Sequence, residues 1–287
     1  MDGIVLVDKP QGPTSHDVVR KLRKIFNTKK VGHAGTLDPM ATGMLIMGIG
    51  KATRLLGYLT ASEKEYLGTI RLGISTTTDD AQGEVLTQRS TRTLTKSQII
   101  EALREFRGHI MQRPSAVSAI QVAGKRAYAL VRAGKEVELP EREVTITDCE
   151  LLSLVDHPDI DVIDLEVRVV CSAGTYIRAI ARDLGAALGV GGHLTSLRRT
   201  RSGPFTQMET LEKLQASPEV LDLSQTIRAV FASLEISAEE AEKAIHGVRI
   251  PAPTDATGKV GVFDPDGNVI SLCEVKNEEL VPLVVFC

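Results

Sequence analysis

Residues 161–171 constrain the fold more than any other segment of the chain. Ile163, Leu165, Val167, Val169 and Cys171 alternate with Asp164, Glu166 and Arg168, a period of two that suits a strand with one buried and one wet face. The period then changes. Ile177, Ile180, Ala181, Leu184 and Leu188 share one side of a helix predicted from about Tyr176 to Leu188. A half-buried strand followed directly by an amphipathic helix calls for helices packed on a sheet, the layering of an α+β domain.

The rest of the chain extends that pattern. Residues 3–7 read as a short buried strand, broken by Asp8-Lys9-Pro10-Gln11-Gly12-Pro13. Thr14 or Ser15 can cap a helix with Val18, Val19, Leu22, Ile25 and Phe26 inward and Arg20, Lys21, Arg23 and Lys24 outward. That basic face suits phosphate contact and solvent equally well. Residues 31–44, rich in Gly, Pro and Thr, read as a loop ahead of an apolar run at 44–49, and residues 65–72 as a strand. Thr95 and Gln98 form a capping box for a helix through Phe106. Near residue 235 the character changes: Ser237 and Glu240 open a short helix ending at Gly247. Residues 260–263 and 269–274 flank the turn Asp264-Pro265-Asp266-Gly267-Asn268 as a hairpin, with a last strand at 283–286. The expected organisation is a larger α+β domain over 1–235 and a small β-rich domain over 236–287.

Composition excludes several classes of function. No apolar stretch approaches the length of a membrane span, and an acidic residue followed by a strand-like run does not read as a secretory signal. The four cysteines, Cys149, Cys171, Cys273 and Cys287, have neither disulfide-framework nor metal-site spacing, which fits a reducing cytoplasm. The net charge is −3, yet residues 1–54 sum to +5, residues 89–135 to +8 and residues 207–287 to −8. Such asymmetry concentrates positive potential over part of the surface. A P-loop fails because Gly50-Lys51 is followed by Ala52, and a dinucleotide fingerprint fails because Thr53 stands at its third position. The six histidines are isolated. A nucleotide cofactor and a metal are therefore not expected.

The chemistry concentrates in Gly32-His33-Ala34-Gly35-Thr36-Leu37-Asp38-Pro39-Met40-Ala41-Thr42-Gly43. Pro39 holds Asp38 away from helical dihedrals, and the glycines permit positive φ or close approach to another body. An ionisable carboxylate on a stiffened loop is a candidate for catalysis.

This segment closely resembles the catalytic-aspartate motif of the TruB family of tRNA pseudouridine synthases, and the resemblance runs on through the chain. Residues 7–15 (Val7 to Ser15), Lys64-Glu65-Tyr66 with Arg71-Leu72-Gly73, and Arg113-Pro114-Ser115 resemble successive family motifs. So do Ser118-Ala119-Ile120 with Gly124-Lys125-Arg126-Ala127-Tyr128, then Cys171 to Arg178 with Asp183-Leu184-Gly185, and finally His193-Leu194 with Leu197-Arg198-Arg199-Thr200. The resemblance implies a pseudouridine-synthase-like catalytic domain with a long mixed, mainly antiparallel sheet, and a PUA-like C-terminal domain. It implies isomerisation of uridine-55 in the T loop of tRNA by base flipping, without a cofactor, by a cytoplasmic protein taken as a monomer.

It also assigns roles. Asp38 acts on the ribose as nucleophile or base, Arg178 pairs with it, and Tyr66 stacks on the base, although on its strand Tyr66 would equally suit core packing. His33 helps fill the space the base vacates, and Lys9, Gly35, Thr36, Tyr176, Leu197 and Arg198 complete the substrate-binding set. The acidity of residues 207–287 sets this chain apart from a basic RNA-binding tail. A non-catalytic tRNA-binding or tRNA-folding protein is the alternative, disfavoured by a carboxylate facing a polyanion. A nucleoside hydrolase or glycosidase would call for paired carboxylates in a defined site; Asp79-Asp80 reads more simply as a solvated turn.

Overall fold

The alternating strand sits at the centre of five that run antiparallel to their neighbours. In a computed structural model, which describes residues 1–117, 121, 122, 125, 126 and 139–286, the chain divides into two units. One comprises residues 1–39, 43–60 and 203–287, the other residues 40–42 and 61–202.

In the second unit the strand order is Gly192–Ser202, β4 (Lys64–Leu72), Val162–Cys171, Arg142–His157, Gly108–Gln112. The expected inward residues Leu165, Val167, Val169 and Cys171 are all fully buried. The helix Ile177–Ala187 packs against β4 and the Gly192–Ser202 strand. Glycine is required at this contact: a Cβ on Gly185 would collide with the backbone of Gly191 and Gly192. The capping box of Thr95 and Gln98 forms, and its helix runs Lys96–Arg104, two residues shorter than expected. Parts of the resembling motifs (Ser118 to Ile120, Gly124, Ala127 and Tyr128) lie outside the described residues.

In the first unit, β1 (Gly3–Lys9) lies antiparallel to β3 (Thr42–Ile49), with Gly3 opposite Ile49 and Lys9 opposite Gly43. Thr14 caps helix α1 (Ser15–Ile25) in a reciprocal box with Asp17. The expected loop over 31–44 is shorter than predicted, because Val31–Ala34 forms β2, antiparallel to β3 from Val31 opposite Ile49 to Ala34 opposite Ile46. Four residues, two of them Gly and His, carry no strand signal of their own; the β3 ladder imposes the conformation.

Ser237 and Glu240 cap the helix Ala238–Ile245 as predicted, and the hairpin Lys259–Phe263 with Val269–Lys276 forms. These strands belong to a five-stranded sheet with Ala232–Glu235, Glu279–Val285 and Ile250–Pro251. That sheet shares one apolar core with β1 and β3: Phe263, Leu272 and Phe286 cluster with Ile4, Met44, Ile46 and Leu55. The Lys51 ammonium and the Arg54 guanidinium donate to the carbonyls of Phe286 and Val285. Among the described residues no helix is long and apolar enough to cross a membrane.

Candidate functional site

The Asp38 loop is held from the β1–α1 turn. With no ladder over residues 35–41, its buried backbone groups need other partners. The Ser15 hydroxyl, only 3% exposed, accepts from the Leu37 N–H at 2.9 Å and donates to the Leu37 carbonyl at 3.1 Å. On the other side of Asp38, the Gly12 N–H donates to the Pro39 carbonyl at 2.8 Å. Gly35 takes φ +78° where the chain leaves β2, a conformation glycine adopts without strain. Leu37 anchors the loop in the core while Thr36 is exposed and Asp38 half-buried, so the carboxylate stands at the edge of solvent.

Lys9, expected among the substrate contacts, is completely buried. Its ammonium donates to the Pro10 carbonyl at 2.9 Å and the Pro39 carbonyl at 3.4 Å. Burial lowers its pKa to about 8, opposed by the negative charges of Asp38 and then Asp17. Lys9 therefore lies beneath the loop, with its ammonium turned to carbonyls of the loop and of the β1–α1 turn.

The second unit carries the arginine centre. Arg178, at the start of the Ile177–Ala187 helix, is 4% exposed. Its guanidinium donates to the carbonyls of Thr78 at 3.0 Å and Val117 at 2.8 Å, and lies 3.5 Å from the Asp80 carboxylate. One helical turn on, Arg182 meets Asp79 at 3.2 Å and donates to the Arg113 carbonyl. Asp79-Asp80 is thus not the solvated turn expected. Asp80 is buried, and burial raises the Asp79 pKa against the Ser115 hydroxyl and the two arginines. The signal was present in the sequence: arginines four apart share a helix face and can take an adjacent pair of carboxylates.

Tyr176 precedes this helix as its N-cap residue. Gln112, 1% exposed, accepts from the Tyr176 N–H at 2.8 Å and donates to the Tyr176 carbonyl at 3.1 Å. The Arg142 guanidinium lies over the Tyr176 ring, 4.7 Å from its centroid. Tyr66 lies in β4 between Val169 and Arg199 on the flanking strands and is 8% exposed. Arg199 and Lys64 are buried beside it in the sheet, and burial, then the Arg199 charge, lowers the Lys64 pKa to about 8. Leu197 and Arg198 meet Thr42 at the exit of the Asp38 loop: the Thr42 hydroxyl donates to the Leu197 carbonyl at 3.4 Å and accepts from Arg198 at 3.5 Å. His33 is half-buried in β2 opposite Met47. The structure thus brings together Lys9 with Asp38, Tyr176 with the arginine centre, and Leu197 with Arg198. Sequence reasoning missed Ser15 and Gln112 as anchors of this machinery. Among the described residues no group of three potential metal ligands occurs.

A family model described as TruB family pseudouridylate synthase (N terminal domain) matches residues 23–177. The chain belongs to the TruB family. Two further models, tRNA pseudouridylate synthase B C-terminal domain and tRNA pseudouridine synthase II, C terminal, match residues 178–237 and 231–287. The chain is 52% identical over 289 residues to tRNA pseudouridine synthase B of Thermobifida fusca, covering 99% of this chain and 98% of the relative. To the protein of the same name from Streptomyces griseus it is 49% identical, covering 99% and 97%. Among solved structures it resembles an H/ACA ribonucleoprotein bound to a substrate RNA containing 2′-deoxyuridine, with a TM-score of 0.74, 26% identity, and coverage of 99% of this chain and 85% of that one. A Cbf5–Nop10–Gar1 complex gives 0.73, 27%, 99% and 84%. This TruB-family chain is a pseudouridine synthase, an isomerase.

Proposed function

We propose that the substrate is uridine-55 in the T loop of tRNA and that Asp38 carries the reaction. The observation that supports this most is the half-buried carboxylate whose two flanking peptides are tied down while its own side chain stays at the solvent edge. The conversion breaks the bond between the base nitrogen and the ribose, turns the base and joins carbon 5 to the same ribose carbon; carbon 5 loses its proton and the freed ring nitrogen takes one up. Substrate and product are isomers, so the balance calls for no oxidant or reductant. Asp38 acts on the ribose as an ionised carboxylate, a form that both nucleophilic attack and proton abstraction require. Tyr66 stacks on the base, and Arg178 supplies the cation that keeps the reacting carboxylate charged. His33 fills the place the everted base leaves, offsetting part of the few kcal/mol that extrusion costs. Gly35, Thr36, Tyr176, Leu197 and Arg198 line the substrate.

RNA is held through its backbone. The exposed Arg20, Arg23 and Lys24 of α1 present a basic face for phosphate, and Lys21 of the same helix pairs with Glu212 at 3.4 Å.

The test is Asp38→Asn with a T-arm RNA tritiated at carbon 5. The variant is expected to bind the RNA within about threefold of the parent and release no tritium; continued release removes Asp38 from the chemistry. Binding is expected to weaken steeply as salt rises, and a flat response contradicts the phosphate-contact surface.

A further inference from the structure

We propose that Ser15 is a positioning residue for the reaction: its buried hydroxyl fixes the peptide that carries Asp38 and so sets where the carboxylate points. The inference rests on the reading of Asp38 as the reacting group.

Ser15 is the first residue of α1, but the helix does not need its hydroxyl. Thr14 and Asp17 already close the capping box. The Ser15 hydroxyl turns instead to a residue 22 positions away, accepting from the Leu37 N–H and donating to the Leu37 carbonyl. Among the described residues, no other member of α1 reaches the Asp38 loop through a side-chain hydrogen bond. Together with the Gly12 N–H on the Pro39 carbonyl, this fixes the chain on both sides of Asp38, leaving mainly the side-chain torsions to the carboxylate. A reacting group displaced by about an ångström can lose about a hundredfold in rate without a change in what is bound.

The test compares Ser15→Ala, Ser15→Cys and Thr14→Ala in the full chain. It uses steady-state kinetics on T-arm RNA at a temperature where circular dichroism shows each variant folded. Ser15→Ala is expected to lower the rate at saturating RNA about 10- to 100-fold while KM stays within about twofold. Ser15→Cys, a weaker donor and acceptor of nearly the same shape, is expected to recover part of that rate. Thr14→Ala removes the helix cap and lowers Tm but keeps the parental rate. A Ser15→Ala rate equal to that of Thr14→Ala overturns the proposal, as does a loss confined to KM. Where Ser15→Ala fails to fold, Ser15→Cys decides alone: a rate equal to the parent's overturns the proposal and a reduced rate at unchanged KM supports it. Asp38→Asn separates the two claims. Turnover by Asp38→Asn defeats the reading on which this one rests, whereas a dead Asp38→Asn beside a fully active Ser15→Ala defeats only the role of Ser15.

Discussion

The two units hold their candidate catalytic side chains by the same local device and by opposite electrostatics. In the first, one buried uncharged side chain, Ser15, takes both backbone groups of Leu37, the residue before Asp38. In the second, Gln112 takes both backbone groups of Tyr176, two residues before Arg178. The charges differ. Lys9 beneath the Asp38 loop donates to the Pro10 and Pro39 carbonyls and feels the charges of Asp38 and Asp17, yet burial lowers its pKa to about 8. Arg178 has carbonyls and, in addition, the Asp80 carboxylate. At the lysine, burial outweighs the nearby carboxylates; the second unit instead seats a guanidinium, a more weakly hydrated cation, against a buried carboxylate.

The largest expected effect tests that contrast. Asp80→Ala removes the buried carboxylate 3.5 Å from the Arg178 guanidinium and should cost about 3–5 kcal/mol of stability in urea unfolding. A loss below about 1 kcal/mol would mean that the Asp80 contact adds little to the hydrogen bonds that Arg178 makes to carbonyls. Next, Gln112→Ala strands the Tyr176 N–H and carbonyl and should cost about 1–3 kcal/mol by the same measurement; no loss would show that Tyr176 is held by its ring under Arg142 instead.

The titratable lysine gives a smaller, signed effect. Above about pH 8 the folded chain sheds the Lys9 proton, whereas the unfolded chain keeps it to about 10.5. The unfolded state then binds more protons, so this group's contribution to stability rises with pH between those values and is flat below about 8. The parent should gain on Lys9→Met over that window by up to about 1.4 kcal/mol per pH unit. Taking the difference cancels the buried thiols of Cys149 and Cys171, whose raised pKa values of about 11 act in the opposite direction above pH 9. A constant difference across pH 7–10 would show that Lys9 is not titrating. Smallest of all, Glu239→Ala on the exposed helix Ala238–Ile245 breaks its pair with Lys243 and should leave Tm unchanged within error.

What could be read from residues follows from how local each signal is. The capping boxes at Thr95 and Ser237 and the strand Val162–Cys171 were legible because cap and period are short-range properties. The 16-residue strand Arg142–His157 was not. Its pairing shifts register between Ile146 and Asp148 and again between Leu151 and Ser153, and each shift resets the alternation that would reveal it. β2 borrows its conformation from β3. In the site, the loop around Asp38 stands out through its glycines and proline, but the burial of Asp80, Lys9 and Ser15 depends on segments that only the folded chain brings together. An Asp-Asp pair after three threonines looks wet until two arginines from a helix about a hundred residues later cover it.

One consequence follows from the apolar core that β1 and β3 share with Phe263, Leu272 and Phe286. Neither group of strands can close that core alone, because the residues that meet there come from segments more than two hundred positions apart in sequence. A side chain trimmed at Phe263 or Leu272 leaves a void beneath β1 and β3, so a lesion remote from the Asp38 loop can reach it through packing alone.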